Sequence, residues 1–118
     1  MTPEELQELR DWSARKVGWE YRNLSDTWYH PQEHKTILSE EWENFWLPDR
    51  PESGQIWMLI GRMLKLGWEF QLLTIANGYE ANFSFNHGKF LINGDIETYG
   101  SDLNPCIATI KAAKATEG

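Results

Sequence analysis

The chain has 118 residues, 41% hydrophobic and 14% aromatic, a length and composition that suit one domain with one core. Its net charge of −7, from 18 acidic and 11 basic residues, argues against general nucleic-acid binding, which needs a basic surface to displace counterions from phosphate. The single cysteine, Cys106, rules out an internal disulfide or a cysteine-rich zinc site, and no apolar run approaches the roughly 20 residues that span a membrane.

The first element is predicted over 3–17. Thr2 is a good N-cap, Pro3 suits the first helical position, and Glu5 completes a capping box. Leu6, Leu9 and Trp12 recur at helical spacing, Arg15 and Lys16 favour the negative helix end, and Gly18 supplies a stop. Met1 leads straight into charged helix formers, which reads as no signal peptide and a reducing cytoplasm.

From 19 to 50 the pattern weakens, and within a single domain of residues 1–118 this stretch reads as a long Trp-rich connecting segment. Ser39 is placed to cap a short helix inside it, with Trp42, Phe45 and Trp46 on one face before Pro48. Connections this long are often functional. Asp49-Arg50-Pro51-Glu52 then reads as a second capping box for a helix of about 51–66, with Ile56, Leu59, Ile60, Met63 and Leu64 as its apolar stripe.

Strand character follows. Trp68 to Ile75 leads into Asn77-Gly78, a strong hairpin signal. Beyond it Tyr79, Ala81, Phe83 and Phe85 alternate with Glu80, Asn82 and Ser84. A turn at Asn86-His87-Gly88, a third strand from Lys89 to Asn93 and a short fourth from Asp95 to Tyr99 complete an antiparallel meander. Asn104 caps a last helix of about 105–115, with Cys106, Ile107, Ile110 and Ala113 packing against the sheet. The fold class is therefore α+β, an α/β/α-type sandwich with a three- to four-stranded antiparallel meander and packed helices.

One motif points to metal chemistry. Residues 28–34 read W-Y-H-P-Q-E-H, and His30, Glu33 and His34 match the H-x-x-E-H spacing of inverted zinc peptidases. A metal-dependent hydrolase on these residues is the enzymatic alternative, but Pro31 spoils the helix that such a site needs. No G-x-S-x-G elbow or phosphate-binding loop is present. Cys106 reads as a small buried apolar group, with a thiol activated by its helix start as the minor alternative. The expected protein is not an enzyme and needs no cofactor.

Binding fits the residues better. Arg22 offers charge, Trp28 and Tyr29 stacking surface, His30 a polar loop group, and Asn82 and Ser84 hydrogen bonds from the polar strand face. The plain alternative for that face is a strand open to solvent. The seven tryptophans read chiefly as core or subunit contacts.

Three stretches are also familiar together: K-V-G-W-E at 16–20, W-L-P-D at 46–49, and the closing N-P-C-I-A-T-I-K-A-A-K-A. In these motifs, and in element order over nearly its full length, the chain resembles the phage ABA sandwich domain family, small bacteriophage proteins of helix–sheet–helix architecture. The resemblance makes Gly18, Trp19, Trp46, Pro48, Pro105, Ile107 and Ala113 scaffold positions. It implies an accessory protein in the cytoplasm of the infected host. Such a protein would bind a small anionic ligand, such as a host defence signalling nucleotide, or a host protein. A structural or homo-oligomer-forming phage protein is the other non-enzymatic reading.

Overall fold

Thr2 Oγ1 accepts the backbone N–H of Glu5 at 3.1 Å, and helix α1 (Pro3–Lys16) starts from that cap with Pro3 in its first turn. Val17 closes the helix, and Gly18 turns the chain at φ +109°, a conformation that L side chains rarely adopt. The computed structural model describes residues 1–86 and 95–117.

Residues 19–50, expected as a connection holding one short helix, build a small sheet ahead of that helix. Strands β1 (Glu20–Arg22), β2 (Thr27–His30) and β3 (Lys35–Leu38) form an antiparallel sheet in the order β1-β2-β3. Its two turns are set by non-glycine residues at positive φ, Asp26 at 51° and His34 at 54°. Asp26 also accepts hydrogen bonds from the hydroxyls of Tyr21 and Ser39, so its side chain ties the first turn to the start of the next helix. Ser39 therefore does not cap helix α2 (Ser39–Phe45); Leu38 is the N-cap residue, and no side chain bonds there.

The expected helix at 51–66 is shorter. A 3₁₀ turn at Pro51–Ser53 is broken by Gly54 at φ +70°, and α3 (Ile56–Lys65) begins after it. Asp49 is not its cap, because that carboxylate is committed to Arg10 on α1 at 2.8 Å. Strands β4 (Glu69–Ile75), β5 (Gly78–Asn86) and β6 (Asp95–Asp102) then form the antiparallel meander, in the order β4-β5-β6. Ile75 pairs with Gly78 around Ala76 and Asn77, one residue earlier than the Asn-Gly pair predicts. The expected fourth strand at 95–99 is longer than predicted and pairs directly with β5. The expected turn at His87 and strand from Lys89 to Asn93 lie outside the described residues. Helix α4 (Pro105–Ala115) is capped as anticipated, Asn104 Oδ1 accepting the N–H groups of Cys106 and Ile107.

The elements pack as the expected α+β fold, around two cores. In the first, Leu9 of α1, Ile56, Leu59, Ile60 and Met63 of α3, and Cys106, Ile110 and Ala113 of α4 cover Ala81 and Phe83 of the meander. The second is aromatic: Trp19, Trp28, Trp42 and Trp46 gather against Ala14 of α1. Trp28 and Trp42 stack with centroids 4.3 Å apart and planes 6° from parallel. Such aromatic pairs contribute about 0.5–1.5 kcal/mol beyond the area they bury. Val17 touches both cores, so the end of α1 couples the small sheet to the rest of the fold.

Candidate functional site

The six residues expected to bind a ligand do not converge. Trp28 and His30 are buried, at 4% and 3% exposure, inside the aromatic core. Arg22 lies over the Tyr29 ring, 3.8 Å from its centroid, a cation–π pair on the small sheet. Asn82 is on a different sheet and donates through Nδ2 to the backbone oxygen of Thr98 at 3.1 Å, which gives it a structural partner. Ser84, half-buried, shares that face of β5.

The H-x-x-E-H spacing falls on a hairpin and not on a helix. His30 ends β2, Lys35 opposite it starts β3, and Pro31 to His34 form the turn between them. His30 Nδ1 accepts the backbone N–H of Glu33 at 3.3 Å, so the ring proton sits on Nε2, which donates to the backbone oxygen of Val17 at 3.0 Å. Both ring nitrogens are thereby used by the backbone. His34 is exposed at its turn position. Among the described residues, no three His, Cys, Asp or Glu side chains come together as a metal-holding group. The Cys106 thiol is pushed above its ordinary value by burial first, then by the carboxylates of Asp49 and Glu52. That favours the protonated form and opposes nucleophilic chemistry at the helix start.

His30 does position something. Its bond to Val17 fixes the β2–β3 turn against the end of α1, with the ring pressed onto Gly18. A Cβ added at Gly18 would lie 3.0 Å from His30 Nε2. The turn, the end of α1 and the exposed side of α3 then enclose a groove of about 370 Å³. Arg15 and Lys16 line it from α1, Arg62 and Lys65 from α3, and Gln32 and Glu33 from the turn, with Met58 as an apolar wall.

The charge balance of this groove is positive. Lys16 is paired with Glu117 at 2.9 Å, and Glu33 with Lys35 at 3.6 Å. Arg15 lies over the Trp28 ring, 5.4 Å from its centroid, a contact that orients the guanidinium without neutralising it. Arg62 and Lys65 have no acidic partner among the described residues. Two helix C-termini contribute about half a negative charge each, which offsets one of the three uncommitted cations. The remaining positive charge sits in a chain whose net charge is −7.

In the sequence Arg15 and Lys16 stand out only as a pair, and Arg62 and Lys65 belong to no motif. Their three-residue spacing on α3, outside the apolar stripe, was the local signal; the juxtaposition with α1 appears only in three dimensions. Among the described residues no helix is long and apolar enough to cross a membrane. Set beside known proteins, the chain matches no family model, no curated protein and no solved structure, and the site rests on its own geometry.

Proposed function

We propose that this chain is a non-enzymatic binding protein that captures a small, phosphate-bearing anion in the groove between α1, α3 and the β2–β3 turn. The observation that carries the reading is that four of the 11 basic residues line one groove in an acidic protein. Small-ligand sites run from about 300 to 1,000 Å³, and this groove is within that range. Arg62 and Lys65 supply charge-assisted donors, with Arg15 held in place by Trp28. Gln32 and Glu33 at the rim suit the hydroxyl or amino groups of a nucleotide, and Met58 its apolar ring face. In a bacteriophage accessory protein, the context the family resemblance implies, such capture would sequester a host signalling nucleotide stoichiometrically.

Titration calorimetry and thermal shift with inorganic phosphate, pyrophosphate and a panel of linear and cyclic nucleotides test the reading. A ligand that binds only the folded chain raises its melting temperature with concentration. Binding should weaken with added salt, and each of Arg62→Glu and Lys65→Glu should cost at least about tenfold in affinity, since a hydrogen bond to a charged group contributes about 1.5–3 kcal/mol. Arg22→Ala should leave affinity unchanged, because Arg22 faces Tyr29 elsewhere. No heat and no shift with any of these anions would remove the proposal.

A further inference from the structure

The meander has two edges, and they differ in how they meet other chains. Strand β6 carries Glu97 and Asp102, so two copies approaching by this edge would bring acidic residues together. Strand β4 has no such protection. It runs seven residues, Glu69 to Ile75, with one charge, no proline, no lysine and an unbroken one-to-one register against β5. Its outer side has no neighbouring strand among the described residues. Leu72, Leu73 and Ile75 are 41%, 44% and 43% exposed, and Trp57 on the adjacent α3 is 67% exposed. Edge strands of this composition are templates for pairing with another chain.

We infer that β4 pairs antiparallel with β4 of a second copy of this chain, about a two-fold axis at Leu72, to give a continuous six-stranded sheet. The free backbone groups set the register. Ile75 and Gly78 flank the two-residue turn as a hydrogen-bonded pair, so alternation along β4 points the backbone groups of Phe70, Leu72 and Thr74 outward. In the Leu72-centred pairing Leu72 meets its own copy, Phe70 meets Thr74, and Gln71 meets Leu73. The only charge, Glu69, falls opposite Ile75, and no like charges are opposed. On the helix side, Leu72 and Phe70 border an apolar groove with Ile56, Trp57, Ile60 and Pro105. The dimer sets the two grooves side by side and gives each exposed Trp57 apolar cover. On the other face, Leu73 and its copy become diagonal neighbours across the axis.

Light scattering on a sizing column, or sedimentation, tests this with the full chain. Wild type should run at twice the chain mass. Leu72→Lys and Leu72→Glu should each run as monomers with wild-type circular dichroism, because residue 72 is partly exposed and the change places like charges on the axis. Leu73→Lys, on the opposite face, should also shift the chain toward monomer. Mixing Leu72→Lys with Leu72→Glu in equal amounts should restore the dimer, since only this register sets position 72 against itself. A wild type that is monomeric at every concentration overturns the proposal and leaves the edge to a strand from a different protein. A dimeric Leu72→Lys variant, or a mixture that stays monomeric, also overturns it. None of these results depends on anion binding.

Discussion

Arg10 grips Asp49 through two nitrogens and two oxygens, at 2.8 and 3.0 Å, with 14% and 9% of their side chains exposed. The backbone oxygen of the same aspartate accepts Nδ2 of Asn104, the cap of α4, at 2.7 Å. One residue therefore joins α1, the loop before α3, and α4. Arg10→Ala would leave a carboxylate buried without its partner, and removing one member of such a pair typically costs about 3–5 kcal/mol. A fall of that order in unfolding free energy by urea titration is the expected result. The pair also shows why single-residue roles were hard to read. Asp49 followed by Glu52 satisfies a local capping rule, whereas its actual partner is 39 positions away. Thr2 and Asn104 were legible because their partners are two or three residues along the chain.

At the scale of elements, legibility followed length and alternation. Helix α1 and strand β5 show their periods over 14 and 9 residues, and both were predicted near their observed bounds. The small sheet was invisible because its strands run only three or four residues. Burial along β2 also breaks the expected alternation, Thr27, Trp28 and His30 all being buried. Helix α4 was legible as an alanine-rich helix, but the reason for its small residues lies in β6. A Cβ at Gly100 would sit 2.3 Å from the backbone oxygen of Ala108 and 2.5 Å from the backbone nitrogen of Ala112. Thr98 Oγ1, two residues away on the same strand, donates to the backbone oxygen of Ala112 at 2.8 Å. Backbone atoms cannot rotate aside as a side chain can, so Gly100→Ala must lift the helix from the sheet. Overpacking typically costs about 1–3 kcal/mol, and this contact falls toward the upper end. A thermal melt of Gly100→Ala beside Gly61→Ala, where an added Cβ meets nothing within 4 Å, isolates the helix–sheet contact.

Across the whole molecule, charge is segregated in ways that no local window reveals. The basic groove joins residues of α1 and α3 that the small sheet and α2 separate in sequence, which is why the candidate site was not legible while most of its scaffold was. Segregation also governs how the protein should respond to acid, because carboxylates anchor both flanks of α4. Burial pushes Asp102 upward, but the Asn104 N–H and the Lys111 ammonium, 3.0 Å away, outweigh it and hold the carboxyl below its ordinary 3.8. Glu117 is held below 4.5 by hydrogen bonds from Trp12 and then Lys16, which join the end of the chain to α1. A folded-state pKa below the unfolded value stabilises the protein above the unfolded value, and that contribution fades as pH falls through the folded one. The urea midpoint should therefore be insensitive to these two groups near neutrality and decline below pH 4.5 as the two carboxylates take up protons. Glu117 is 48% exposed, so solvent screening keeps its share small, and Asp102, at 22%, should carry more of the decline. Lys111→Met tests that assignment: it should move Asp102 back toward 3.8 and flatten the acid limb while leaving the Glu117 step in place. An unchanged acid limb in that variant would transfer the effect to other carboxylates.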